Sequence, residues 1–276
     1  MKKEFVKILT FMVLFAFGMG TTAYAITSGY SSFAELYASE DAADYTIKTT
    51  DTGRDTTILA LHGGGIERGT SELVEALKGY GKYNTYLFEG LKATDNGSLF
   101  LKAINFDEPA AVRLVKNSDY TVSVIGAAGN DETTYIGGQN KILAELIKLH
   151  LTAKGYNVKT LSIPDRIAGT MNSNIVNKNK LFNDSYQIGG VQIAISKGLR
   201  DKLVTDSSIL NDYSGSINEA LSASWPKIVP HLKKITKSEG ILNKFNPSKR
   251  NFDKKIEHIL KKGAKTPKEL IENTKE

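Results

Sequence analysis

From Thr56 to about Leu203 the chain alternates short apolar runs with stretches where apolar residues recur every three or four positions. The runs TTILALHG, NTYLFEG, SLFLKAINF, YTVSVIGAAG, VKTLSI and VQIAIS predict strands. SELVEALKGYG, EPAAVRLVKN and QNKILAELIKLHLTAKG predict helices, the last with clear amphipathic spacing. Apolar strands separated by helices predict an α/β fold: a mostly parallel mixed sheet with helices on both faces. Ligands in such sheets sit beyond the carboxyl ends of the strands, where His62 falls. After Trp225-Pro226 the pattern changes. PKIVPHLKKITKSEG and NFDKKIEHILKKGAKTPKELIENTKE predict a C-terminal appendage of short basic helices broken by Pro and Gly.

The first 25 residues follow a different logic. Lys2, Lys3 and Lys7 precede the apolar run ILTFMVLFAFGMG, and Ala23-Tyr24-Ala25 supplies small residues at a cleavage position. That combination predicts a secretory signal peptide over 1–25; the apolar run is short for a membrane span. The expected organisation is a signal peptide (1–25), an α/β domain (26–224) and a basic helical tail (225–276). The protein is expected to be secreted, with no stable membrane span after cleavage. There is no cysteine among the 276 residues, so disulfides, thiol nucleophiles and thiolate metal sites are excluded and the core must supply the stability.

Charge separates the last two segments. From Trp225 onward there are 14 Lys and Arg against 6 Asp and Glu, which leaves 26–224 slightly acidic within a chain of net charge +6. A basic tail favours anionic partners or is simply a solvated face. Export argues against nucleic acid.

Candidate chemistry centres on ILALHGGGIERGTSEL, residues 58–73. His62 and Glu67 flank a glycine loop between a predicted strand and a helix whose start, Thr70-Ser71, is a candidate anion site. An esterase with this HGGG loop needs G-x-S-x-G, which is absent. A P-loop needs a Lys after its last glycine, and Gly69 is followed by Thr70. HExxH is also absent. Zinc hydrolysis remains, but catalytic zinc takes three protein ligands. Of the four histidines, His150 lies on an amphipathic helix and His231 and His258 in the tail.

The blocks SSFAEL, ILALHGGGIERGTSELVEAL, YLFEGLKATDNGSLFLKAINFDEPAAVRLV, VSVIGAAGNDETTYIGGQN, NIVNK and GGVQIAISKGLRDKL, in that order from about Ser31 to Leu203, resemble the poly-γ-glutamate hydrolase family. That family comprises zinc-dependent enzymes of phages and bacilli with a carboxypeptidase-like fold. The resemblance implies that His62 and Glu67 occupy two zinc-ligand positions. The third ligand, a histidine, would fall at Ile125, the general-base glutamate at Ala194, and a further histidine at Phe100. An Asn-Arg pair that grips substrate carboxylate would fall at Asn177 and Lys178; Lys keeps the charge but loses the bidentate fork.

Two of the positions the resemblance assigns to zinc are therefore filled and the rest are not. The expectation is a pseudo-hydrolase with an incomplete zinc site that binds poly-γ-glutamate or another anionic wall polymer through Lys178, the start of the helix at Thr70-Ser71 and the tail. The competing expectation is an active zinc-dependent γ-glutamyl hydrolase with altered ligands, for which Asp131 or Glu132 are substitutes. A third is a structural role, in which His62 and Glu67 simply hydrogen-bond each other.

Overall fold

The computed structural model describes residues 29–181 and 188–238, with side chains up to Ser222. The expected signal peptide, the side chain of His231, and the tail beyond 238 with His258 lie outside the described residues. The chain runs α1 (Phe33–Ser39), β1 (Tyr45–Thr50), β2 (Thr56–Gly64), α2 (Thr70–Lys78), β3 (Asn84–Gly90) and α3 (Pro109–Lys116). It continues with β4 (Tyr120–Ala127), β5 (Thr133–Gly138), α4 (Lys141–Ala153), β6 (Asn157–Lys159) and α5 (Asp165–Ala168). β7 (Val191–Ser196), α6 (Lys197–Thr205) and α7 (Ser207–Ser238) complete it.

Seven strands form one sheet in the order β1-β3-β2-β4-β7-β5-β6. The central neighbours β3-β2, β2-β4 and β4-β7 are parallel. β1 pairs antiparallel with β3 and β5 antiparallel with β7, so the sheet is mixed. The expected α/β architecture is present.

Its cause is visible in the burial. Every residue of β4 and β7 is buried, because helices cover both sheet faces. On one face Ile58, Val122, Val124 and Ile193 meet α2, α4 and α7 through Leu73, Leu77, Leu143, Ile147 and Ile217. On the other, Leu59, Leu61 and Phe88 meet α1 and α3 through Leu36 and Leu114. Each such Leu or Ile contributes about 1.5–3 kcal/mol by leaving water.

Three expectations fail. SLFLKAINF is not a strand: it holds the end of a 3-10 turn over Asn96–Leu99, then irregular chain. β1 and β4 occupy the sheet positions beside β3 and β2, so this segment buries Leu99, Leu101 and Phe106 without strand partners. VKTLSI is strand only to Lys159. Ser162 adopts φ 53° and Pro164 follows, which breaks the extended backbone and leaves Leu161 exposed. Finally, α7 runs through Pro226 and Pro230 to Ser238, so the backbone does not break where the tail was expected to begin. Among the described residues, no helix is long and apolar enough to cross a membrane.

Candidate functional site

His62 lies two residues before the end of β2, where the pairing with β3 slips between Ala60 and Gly63. Such a bulge re-aims side chains at the end of a strand. Gly64 then takes φ 60°, and a Cβ there would meet the Gly90 carbonyl at 2.5 Å, so only glycine serves. The turn is tied by Glu67 N–H donating to the His62 carbonyl at 2.8 Å. The Glu67 carboxylate is thereby returned over β4, where Oε2 accepts Gly126 N–H at 2.5 Å.

His62 Nδ1 lies 3.0 Å from Glu67 Oε2, and Nε2 lies 2.8 Å from the Leu101 carbonyl. A carbonyl only accepts, so the second bond uses Nε2–H, and the first is made through a proton held between imidazole and carboxylate. Phe100 stacks on the imidazole with ring centroids 4.1 Å apart. Both ring nitrogens and one ring face are thus occupied, and His62 is only 2% exposed.

The positions that the resemblance gives to the third ligand and the general base converge on the same end of the sheet. Ile125 and Ala194 are direct partners across β4 and β7, and Ile125 immediately precedes the glycine that holds Glu67. Instead of a polar cradle they form an apolar floor with Ala127 and Ile167, against which Tyr135 and Ile163 pack.

Zinc can be tested against this donor set. A catalytic zinc centre needs three protein ligands. Here two candidate groups are hydrogen-bonded to each other, His62 Nε2–H faces a carbonyl, and the neighbouring side chains are Phe, Ile and Ala. Among the described residues no three His, Cys, Asp or Glu side chains converge as a metal site. The two substitutes do not repair it: Asp131 accepts the Thr133 hydroxyl, and Glu132 pairs with Lys202 at 2.6 Å. The residues present do not fit a catalytic zinc.

Three other candidates are placed elsewhere or closed. Thr70 and Ser71 are buried; Thr70 Oγ1 donates to the Glu67 carbonyl at 2.9 Å, and Ser71 Oγ accepts Gly64 N–H. Gly69 N–H donates to Glu72 Oε2, so this helix start is capped by the chain and is not an open anion site. Asn177 is 0% exposed. Its Nδ2 donates to the Gly169 and Met171 carbonyls, and its Oδ1 accepts Gly190 N–H. Thr121 Oγ1 donates to the Val176 carbonyl and Lys180 N–H to that of Ser118. These contacts anchor Asn177 and Lys178 beside the amino ends of β4 and β7. Gly126 lies five positions beyond Thr121, about 16 Å along a strand. His150, on α4, faces Glu219 of α7, with Nδ1 3.4 Å from Oε2.

One residue at the carboxyl end went unread in the sequence. Arg200, in the first turns of α6 directly after β7, directs its guanidinium back over Gly126. A Cβ on Gly126 would stand 2.8 Å from Glu67 Cδ and 3.0 Å from Arg200 Cζ, so both charged groups lie against one glycine. KGLRDKL reads as a solvated basic helix; the available signal was its position directly after a buried strand that ends beside His62.

Comparison with known proteins identifies the family and the fold. Over 198 residues the chain is 34% identical to YndL of Bacillus subtilis, covering 72% of this chain and 75% of that protein. It is 44% identical over 150 residues to the SPβ prophage-derived protein YoqZ of the same organism, spanning about half of it (54%). A zinc-free apo structure of YndL superposes with a TM-score of 0.64 at 33% identity, covering 71% of this chain and 98% of that one. The structure of a bacteriophage poly-gamma-glutamate hydrolase does so with a TM-score of 0.63 at 29% identity, covering 70% and 96%. The sequence profile of the poly-gamma-glutamate hydrolases matches residues 30–223, and the chain belongs to that family.

Proposed function

We propose that this chain is an exported member of the family that has lost zinc-assisted hydrolysis and serves as a binding module for poly-γ-glutamate or a related anionic wall polymer. The observation that carries the reading is the convergence of positions 62, 67, 100, 125 and 194 on one end of the sheet with only two polar side chains among them. A zinc hydrolase works by lowering the pKa of a metal-bound water and by general-base removal of its proton. Ile125 and Ala194 supply neither a ligand nor a base. Loss of a base alone costs about two to four powers of ten in rate. The polymer part of the reading is supported by the family and by a basic C-terminal segment suited to a chain bearing one carboxylate per residue.

The competing reading, an active γ-glutamyl hydrolase, is favoured by the likeness to a bacteriophage poly-gamma-glutamate hydrolase. One experiment separates them. Residues 26–276 are incubated with high-molecular-weight poly-γ-glutamate and zinc, and polymer length is followed on a gel. Unchanged length with retarded mobility is the expected result. Shortening abolished by a chelator overturns the proposal.

A further inference from the structure

The carboxyl end of the sheet keeps two charged groups with hydrogen-bonding capacity to spare. Arg200 Nε donates to the Ile195 carbonyl at 3.1 Å and Nη1 to the Arg68 carbonyl at 2.5 Å. Two backbone acceptors therefore steer the side chain, and the missing side chains of Gly69 and Gly126 give it a slot. A Cβ at Gly69 would meet Arg200 Cβ at 2.8 Å, and one at Gly126 would meet Nη2 at 3.0 Å. A guanidinium has five N–H donors, so its two bonds leave three in hand. Among the described residues, no carboxylate forms an ion pair with it. Asp201, next in the chain, is held below the usual carboxylate range first by its hydrogen bond to Lys197, at 2.5 Å. Across Gly126 lies the Glu67 carboxylate, whose Oε2 holds His62 and Gly126 while Oε1 has no partner among the described residues.

A fixed fork of donors and a fixed acceptor, both against one glycine, select a ligand carrying an acceptor pair and an N–H close together. A γ-linked glutamate unit presents both on a single carbon, since its α-carbon bears the free carboxylate and the amide nitrogen. An α-linked unit has the same charge, but its carboxylate stands at the end of the side chain, away from the amide. We propose that Arg200 receives the α-carboxylate and Glu67 Oε1 the adjacent amide N–H, so that this pair sets linkage specificity in the polymer-binding reading, on which the proposal rests. Arg matches a carboxylate bidentately, which a Lys does not. It also replaces Lys178, at the other end of the strands, as the residue that grips carboxylate.

The test is affinity electrophoresis of the full mature chain against γ-linked and α-linked polyglutamate of equal length. The wild type is expected to bind the γ-linked polymer more tightly, by about ten-fold for one charge-assisted fork. Arg200→Gln should abolish that preference, whereas Lys116→Gln, an exposed position at the end of α3, should keep it. Arg200 also satisfies two carbonyls, so thermal melts accompany every variant. Should Arg200→Gln fail to fold, Arg200→Lys decides: charge is kept, and binding to both polymers with lost preference is expected. A wild type that binds both linkages equally, or an Arg200→Gln variant that keeps its preference, overturns the specificity pair while the binding module stands. A wild type that binds neither polymer overturns both.

Discussion

Strands β4 and β7 carry a polar cluster at each end, and the two clusters differ in how their hydrogen-bonding capacity is used. At the amino end, Asn177 gives both N–H groups and its oxygen to backbone, and Asn174 Nδ2 donates to Gln192 Oε1, whose own Nε2 donates to the Ile167 carbonyl. These side chains are buried and committed to the chain itself. At the carboxyl end, Glu67 and Arg200 are positioned by backbone just as firmly, yet each keeps unpaired donors or acceptors among the described residues. A saturated network specifies a fold; a fixed but unsaturated one is available to a ligand. Motif resemblance alone assigned substrate to the saturated end.

The sharpest way to break this comparison is to put the base back. Ala194 is 0% exposed, with Ile125 as its cross-strand partner and Ile167 in the same apolar cluster. Ala194→Glu adds one methylene and a carboxylate to that floor. Overpacking costs about 1–3 kcal/mol and burial of an unpartnered carboxyl adds a similar amount. A loss of about 3–5 kcal/mol in urea unfolding, measured without zinc, is expected. A loss below about 1 kcal/mol would mean the floor is an open, wettable cleft and the carboxyl end is still shaped for chemistry.

The second test addresses the amino end. Asn177→Ala strips partners from Gly190 N–H and from the carbonyls of Gly169 and Met171. With each buried unsatisfied group costing about 1–3 kcal/mol and water entering part of the gap, a net loss of about 2–3 kcal/mol is expected by the same unfolding measurement. Full stability combined with lost polymer binding would make Asn177 a ligand residue after all.

How far these ends could be read from sequence depended on what buries each segment. β2, β3, β4 and β7 are covered on both faces, so their apolar runs are continuous and visible. β1, with the mixed sequence YTIKTT and a half-exposed pattern, carries too weak a signal. The glycines of TTYIGG in β5 obscure another strand, although at Gly137 a Cβ would strike the Ala168 carbonyl. The convergence of His62, Glu67, Ile125 and Ala194 was readable because a loop motif and two strand blocks fix positions that a parallel sheet brings together. Arg200 was not, because a charge on a short helix looks solvated until the glycines at 69 and 126 are seen to make room for it. The setting of Asn177 was hidden for the converse reason: sequence shows an amide but not that its partners are the Gly169, Met171 and Gly190 backbone.

The smallest expected effect belongs to Lys178, and it discriminates because it is small. The side chain is half-buried beside the amino ends of the strands, and among the described residues no carboxylate pairs with it. Lys178→Gln removes one charge without leaving a partner stranded, so stability should change by less than about 0.5 kcal/mol. Retention of poly-γ-glutamate should fall only as far as one distant, screened charge allows, within about two-fold at physiological salt. Both ends of the strands bear a cation, and long-range attraction to a polyanion alone would make Lys178 and Arg200 equivalent. Only a short-range fork separates them. A Lys178→Gln loss matching that of Arg200→Gln would therefore reduce the carboxyl end to one positive patch among several, whereas a large difference between the two, persisting as salt is raised, locates recognition at Gly126.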